Sequence, residues 1–154
     1  MVRQATQAVS VLNVGLEKNF KLGIVRLDHR LLMQFSSDKE VVPLPLFSAN
    51  LRYYLEFTVV KDAMDMQIGF NGTYYTKYYV PGYMPDLGVF YNQREEELGG
   101  NPYIDIFVNC QWKRVCVFLK YTNLFMGWPG KDHFSAYRYI RPEGTIKLGI
   151  FWPF

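Results

Sequence analysis

Three observations predict an all-β fold for this sequence: an antiparallel up-and-down set of about seven long strands forming a segment of a transmembrane β-barrel. Apolar side chains recur at every second residue in run after run, the period of a strand whose two faces meet different surroundings. The runs extend over about nine to fourteen residues, nearer the ~9–11 of a tilted membrane strand than the ~5–6 typical of a soluble sheet. Short and long links alternate between the runs, as they do where one rim of a barrel is trimmed and the other carries loops.

Taken in order, the stretch "VSVLNVGLEKNFKLGIVRLDHRLLMQF" divides into two strands at "KNFK", Lys18 to Lys21. In the second strand Val25, Leu27, Leu31, Met33 and Phe35 share a face with His29, opposite Arg26, Asp28, Arg30 and Gln34. From Phe47, the set Phe47, Ala49, Leu51, Tyr53, Leu55, Phe57 and Val59 opposes Ser48, Asn50, Arg52, Tyr54, Glu56 and Thr58. From Met64, apolar Met64, Met66, Ile68, Phe70 and Tyr74 oppose Asp65, Gln67, Gly69, Asn71, Thr73 and Lys77. Two further strands follow: Ile104, Ile106, Val108, Cys110 and Trp112 against Asp105, Asn109 and Gln111, then Val115, Val117, Leu119 and Tyr121 against Cys116, Lys120 and Thr122. The closing stretch "GTIKLGIFWPF" sets Ile146, Leu148, Ile150, Trp152 and Phe154 against Lys147, Gly149, Phe151 and Pro153. No segment sustains a 3.6-residue apolar period, so almost no helix is expected.

The short links fall at Lys18–Lys21, Lys61–Ala63 and Lys113–Arg114, and the long ones at Ser36–Leu46, Val80–Asn101 and Phe125–Ile140. In a barrel this alternation puts the last strand running down to the periplasmic rim, with Phe154 at its end. Aromatics gather near strand ends, in "TYYTKYY" and at Trp112, Trp128, Trp152 and Phe154, where rings can girdle a lipid interface.

Composition removes several other classes. Aromatics reach 18% and charged residues only 20%, while a net charge of +3 without a basic run gives no footing for nucleic acid. No stretch approaches the ~18 consecutive apolar residues of a spanning helix, a test to which alternating strands are blind. The start "MVRQATQAVSVLNVG" lacks the layout of a signal peptide.

Candidate chemistry lies on the polar face. Its charged set, Arg26, Asp28, Arg30, Arg52, Glu56, Lys77, Asp105, Lys120 and Lys147, is expected to line a pore, and its six cations to three anions lean toward anionic solutes. The same set also reads as ion pairing and hydration inside a small or plugged barrel. With Lys113–Arg114 as a two-residue turn, Cys110 and Cys116 fall on opposite faces, so no disulfide joins them. Only His29 and His133 could serve as a base; His133 has Ser135 two residues on, in a long link, and no catalytic role is expected. No metal-ligand spacing occurs and no cofactor is expected. The sequon at Asn71 lies mid-strand on the polar face and is discounted.

The stretch "NPYIDIFVNCQWKRVCVFLKYTNLFMGWPGKDHFSAYRYIRPEGTIKLGIFWPF" resembles the C-terminal end of the putative porin family of Bacteroidota outer membranes, as do "VPLPLFSANLRYYLEF" and "YYVPGYMPDLGVFYNQ" upstream. The resemblance covers roughly residues 8–154; the Pro of "NPYID" stands one place early and "RYIRPEG" replaces a more Pro-rich approach to the last strand. It implies an outer-membrane protein of a Gram-negative bacterium through which small hydrophilic solutes diffuse, set in outer-membrane lipid. It also implies that residues 1–154 are one barrel region, irregular over 1–7, forming the C-terminal part of a longer chain. Trp152 and Phe154 resemble the terminal mark read by the barrel-insertion machinery. Strand parity agrees: seven strands ending at the periplasmic rim must begin at the extracellular one, so an odd number of further N-terminal strands is needed and the sheet should be open. Two other readings remain beside the porin: a non-conducting barrel whose loops, notably "YMPDLGVFYNQREEELGG", dock partner proteins, and a soluble ligand-binding barrel with its faces inverted.

Overall fold

The computed structural model describes residues 7–125, 134–136, 139–140 and 143–153. Its strands are β1 (Val11–Leu22), β2 (Val25–Ser36), β3 (Phe47–Val60), β4 (Met64–Tyr75), β5 (Tyr78–Tyr79), β6 (Gly82–Met84), β7 (Val89–Tyr91), β8 (Glu97–Leu98), β9 (Tyr103–Trp112), β10 (Val115–Thr122), β11 (Phe134–Ala136), β12 (Tyr139–Ile140) and β13 (Thr145–Phe151). Seven of them form one antiparallel sheet in the order β1-β2-β3-β4-β9-β10-β13, and the described residues contain no helix. Each long strand pairs with the next along the chain, so the topology is the up-and-down meander expected from the alternating links. Among the described residues β1 and β13 are the two edges of this sheet and do not pair with each other, so the sheet is open there.

Register shows why the alternation matters. Directly paired residues lie on one face of a sheet, so rows can be followed across it. One row runs Leu22, Val25, Leu55, Ile68, Val108, Leu119, Leu148, and the next Phe20, Leu27, Tyr53, Phe70, Ile106, Tyr121, Ile146. The interleaved row on the other face runs Lys21, Arg26, Tyr54, Gly69, Phe107, Lys120, Lys147. Along these two rows one face is apolar from edge to edge. It is also uncovered: Ile146, Leu148 and Ile150 are 68–69% exposed, and Trp112 is 62% exposed.

The first turn lies elsewhere than its sequence suggested. β1 continues through "KNFK", and the turn is Gly23–Ile24, closed by the Leu22–Val25 pair. Gly23 has φ +60°, the geometry that a two-residue hairpin asks of its first central residue and that glycine adopts without strain. The polar residues Lys18 and Lys21 mimicked a turn because two charges bracket Asn19, yet Lys18 and Phe20 stay in apolar phase while Asn19 and Lys21 stay in polar phase. The turns at Lys61–Ala63 and Lys113–Arg114 fall where expected.

The long link between β4 and β9 is itself folded. β5 pairs with β8, and β6 pairs with β7. Inside it, Leu98 is 2% exposed and Gln93 5% exposed. The Gln93 amide donates to the carbonyls of Val80 and Glu96 at 2.8 and 2.7 Å, and its oxygen accepts from the amides of Glu95 and Glu96. The link is tied to the one between β2 and β3 through Asn92, whose amide donates to the carbonyls of Glu40 and Val41, and through an Arg94–Glu40 ion pair. Burial, and then the neighbouring Tyr75, raise the Tyr78 phenol above its ordinary pKa of 10.0.

Candidate functional site: the polar face

Eight of the nine charged residues singled out from the sequence stand on the polar face of the long strands: Arg26, Asp28, Arg30, Arg52, Glu56, Asp105, Lys120 and Lys147. Lys77 does not. β4 ends at Tyr75, and Lys77 follows it into the link, where a Cβ added at Gly100 would come within 3.2 Å of its side-chain carbons. The alternation continued by chance past the end of the strand.

The structure adds members that the sequence reading left out. Glu17 and Lys21 join once β1 runs to Leu22, and Asp65 sits opposite Thr58 on the same face. The strands then present six cations, Lys21, Arg26, Arg30, Arg52, Lys120 and Lys147, to five anions, Glu17, Asp28, Glu56, Asp65 and Asp105. On the strands the excess of positive charge thus shrinks from three to one, because Lys21 takes the place of Lys77 and the carboxylates of Glu17 and Asp65 are added.

Most of these charges are also spent on one another. Arg26 Nη2 lies 2.9 Å from Glu56 Oε1, and the other Glu56 oxygen accepts from Gln67 Nε2 at 3.0 Å. Gln67 Oε1 in turn accepts from Asn109 Nδ2 at 3.1 Å, so one hydrogen-bonded chain crosses β2, β3, β4 and β9. Lys120 Nζ is 2.6 Å from Asp105 Oδ2, while Asp105 Oδ1 accepts the backbone N–H of Asn123. Arg30 grips Glu17 through both Nε and Nη2, but both side chains are largely exposed, and such pairs contribute about 0–1 kcal/mol.

Arg52 is held differently. Its guanidinium lies 4.9 Å from the ring centres of both Tyr54 and Phe107. Asp28 is its cross-strand partner in register, yet the two make no ion pair. Phe107 is 7% exposed beneath this cover. A Cβ at Gly69, between Tyr54 and Phe107 in the same row, would come within 2.2 Å of the Tyr53 carbonyl oxygen and 2.4 Å of Tyr54 Cβ. Only glycine fits there. These polar-phase aromatics were visible in the sequence as breaks in alternation, and an opposed glycine was the signal that they lie down on the sheet.

The two cysteines are free and fall on opposite faces. Cys110 pairs with Val117 on the apolar side, and Cys116 pairs with Gln111 on the polar side. His29 sits on the apolar face, its Nε2 2.7 Å from the Tyr53 hydroxyl and its ring edge-on to Phe20. Trp152 follows β13 and is 61% exposed. Phe154, His133 and Trp128 lie outside the described residues.

A meander of long strands with one mainly apolar face and one ion-paired polar face is the kind of sheet from which up-and-down β-barrels are built. The chain belongs to the family described as putative porin, whose model matches residues 1–154. No curated protein and no solved structure matches it.

Proposed function

We propose that the chain is part of a porin-like barrel in the outer membrane of a Gram-negative bacterium, of the Bacteroidota by its resemblance, which lets small hydrophilic solutes diffuse passively. It acts without a cofactor and is not an enzyme. The observation that carries this reading is the register: rows of apolar side chains cross the sheet on one face, while the charged and amide side chains of the long strands collect on the other, which suits lipid outside and water within. The polar residues above then line the pore, and Trp152 with Phe154 marks the chain for the insertion machinery. The free edges of β1 and β13 are closed by the N-terminal strands of the same barrel, because each unsatisfied backbone group in hydrocarbon costs several kcal/mol.

The native cysteines test the sidedness without any mutation. In detergent-free liposomes carrying the full-length protein, a membrane-impermeant maleimide should modify Cys116 and spare Cys110. Modification of Cys110 alone would reverse the faces and favour a soluble barrel. Conductance across planar bilayers tests the open pore. A sealed barrel would support the second reading, in which the loops dock partners. That reading draws on the β6–β7 hairpin, which leaves Leu87 in its turn and Phe90 on β7 69% and 71% exposed.

A further inference from the structure

We propose that the polar face near the short turns, from β2 to β13, is a binding track for neutral saccharides; the proposal rests on the porin reading and names the solute class. A cavity of about 710 Å³ opens there, lined by side chains that include Arg26, Glu56, Asp65, Gln67, Asn109 and Gln111. Its charged lining is one cation and two carboxylates. The cation is spent on Glu56, and Asp65 accepts from the Thr58 hydroxyl at 2.6 Å. An anion therefore meets no free positive charge in this lining, while the amides of Gln67, Asn109 and Gln111, which already bond to Glu56, to one another and to the Lys113 carbonyl, each have a second N–H and further oxygen lone pairs to offer. Neutral hydroxyl groups match that chemistry, because each can both donate and accept.

The second observation is aromatic. Phe118 is the cross-strand partner of Asn109 on one side and of Gly149 on the other. A Cβ at Gly149 would lie 2.3 Å from the Phe118 ring, so the ring occupies the space that a side chain would fill and rests on the glycine backbone. Phe118 is nevertheless 40% exposed, so it presents ring surface to the polar side. Phe151, partner of the cavity residue Cys116, continues the same surface and is 66% exposed. A pyranose has one face of C–H bonds and a rim of hydroxyls. The electron-rich ring faces suit the former, and the neighbouring amides suit the latter.

Calorimetry on the detergent-purified full-length protein tests this with maltotriose and with trigalacturonate, a charged trisaccharide. Maltotriose should bind and trigalacturonate should not. Phe151→Ala and Gln111→Ala, both at exposed positions, should each weaken maltotriose binding about three- to ten-fold, the effect of one lost stacking or hydrogen-bonding contact. Unchanged binding in both variants, or tighter binding of trigalacturonate, would overturn the proposal. Liposome swelling separates the two layers of the argument. Binding without permeation keeps the track and removes diffusion, whereas permeation of both sugars without binding keeps the porin and removes the track.

Discussion

The link between β4 and β9 and the sheet that it crowns bury their side chains in opposite ways. The link hides Leu98 almost completely and satisfies Gln93 with four hydrogen bonds, as a small water-soluble fold would. The sheet, with far more apolar surface, leaves Leu119 and Leu148 45% and 68% exposed along a row that spans all seven strands. A patch of that extent on a protein surface signals a covering partner or a membrane. The difference teaches that the link closes on its own core while the apolar face of the sheet calls for a cover from outside it, and each can be challenged separately.

The largest effect should come from placing charge on the apolar face. Leu148→Arg or Leu119→Arg should block assembly, at about 2–4 kcal/mol if the position lies near the bilayer midplane. Lys147→Gln and Lys120→Gln, one residue away on the other face, should assemble normally, although the second breaks the Asp105 pair. Heat-modifiable migration of the outer-membrane fraction reads both. Equal tolerance of the two classes would break the comparison.

A smaller and more local loss is expected in the link. Gln93→Ala leaves two part-buried carbonyls and two backbone amides to find other partners, at about 1–3 kcal/mol where a group stays unsatisfied. Protease cutting between residues 76 and 102 should accelerate while the sheet stays assembled. If the whole protein failed to assemble instead, link and sheet would fold as one unit and the contrast between them would fall.

How much of this was legible depended on which physical rule left a trace in the sequence. Strand phase was readable because period-two alternation is forced by the pleat, and it survives the aromatic breaks at Tyr54, Phe107, Phe118 and Phe151. β1 was displaced because charge was weighed above Gly23, although the glycine carried the stronger turn signal. The charged face was legible one strand at a time, so partners were not: nothing local tells Glu17 that Arg30 lies opposite, or joins Glu56 to Asn109 through Gln67. The aromatic ring over Gly149 needs cross-strand register, and the core around Leu98 and Gln93 needs the link's own pairing. Neither has a periodic signature.

The smallest effect concerns the turn rim, where the sheet is constrained by backbone geometry instead of solvent. Gly23 and Lys113 each open a two-residue turn with positive φ, at +60° and +53°. Glycine enters this region freely, whereas a residue with a Cβ is strained there by about 1–2 kcal/mol. Lys113 therefore carries strain that Gly23 does not. Its N–H donates to the Ala63 carbonyl at 2.8 Å, tying this turn to the one between β3 and β4, and glycine would keep that bond. Lys113→Gly should raise stability by up to about 1 kcal/mol, since the extra freedom glycine gives the unfolded chain offsets part of the relief. Gly23→Lys should lower it by a similar amount. Urea titration of the folded protein in lipid vesicles measures both. If Lys113→Gly were destabilising, the ammonium group itself would hold the rim, as a cation among lipid headgroups would, and the turns would belong with the solvent-determined regions and not with the geometric ones.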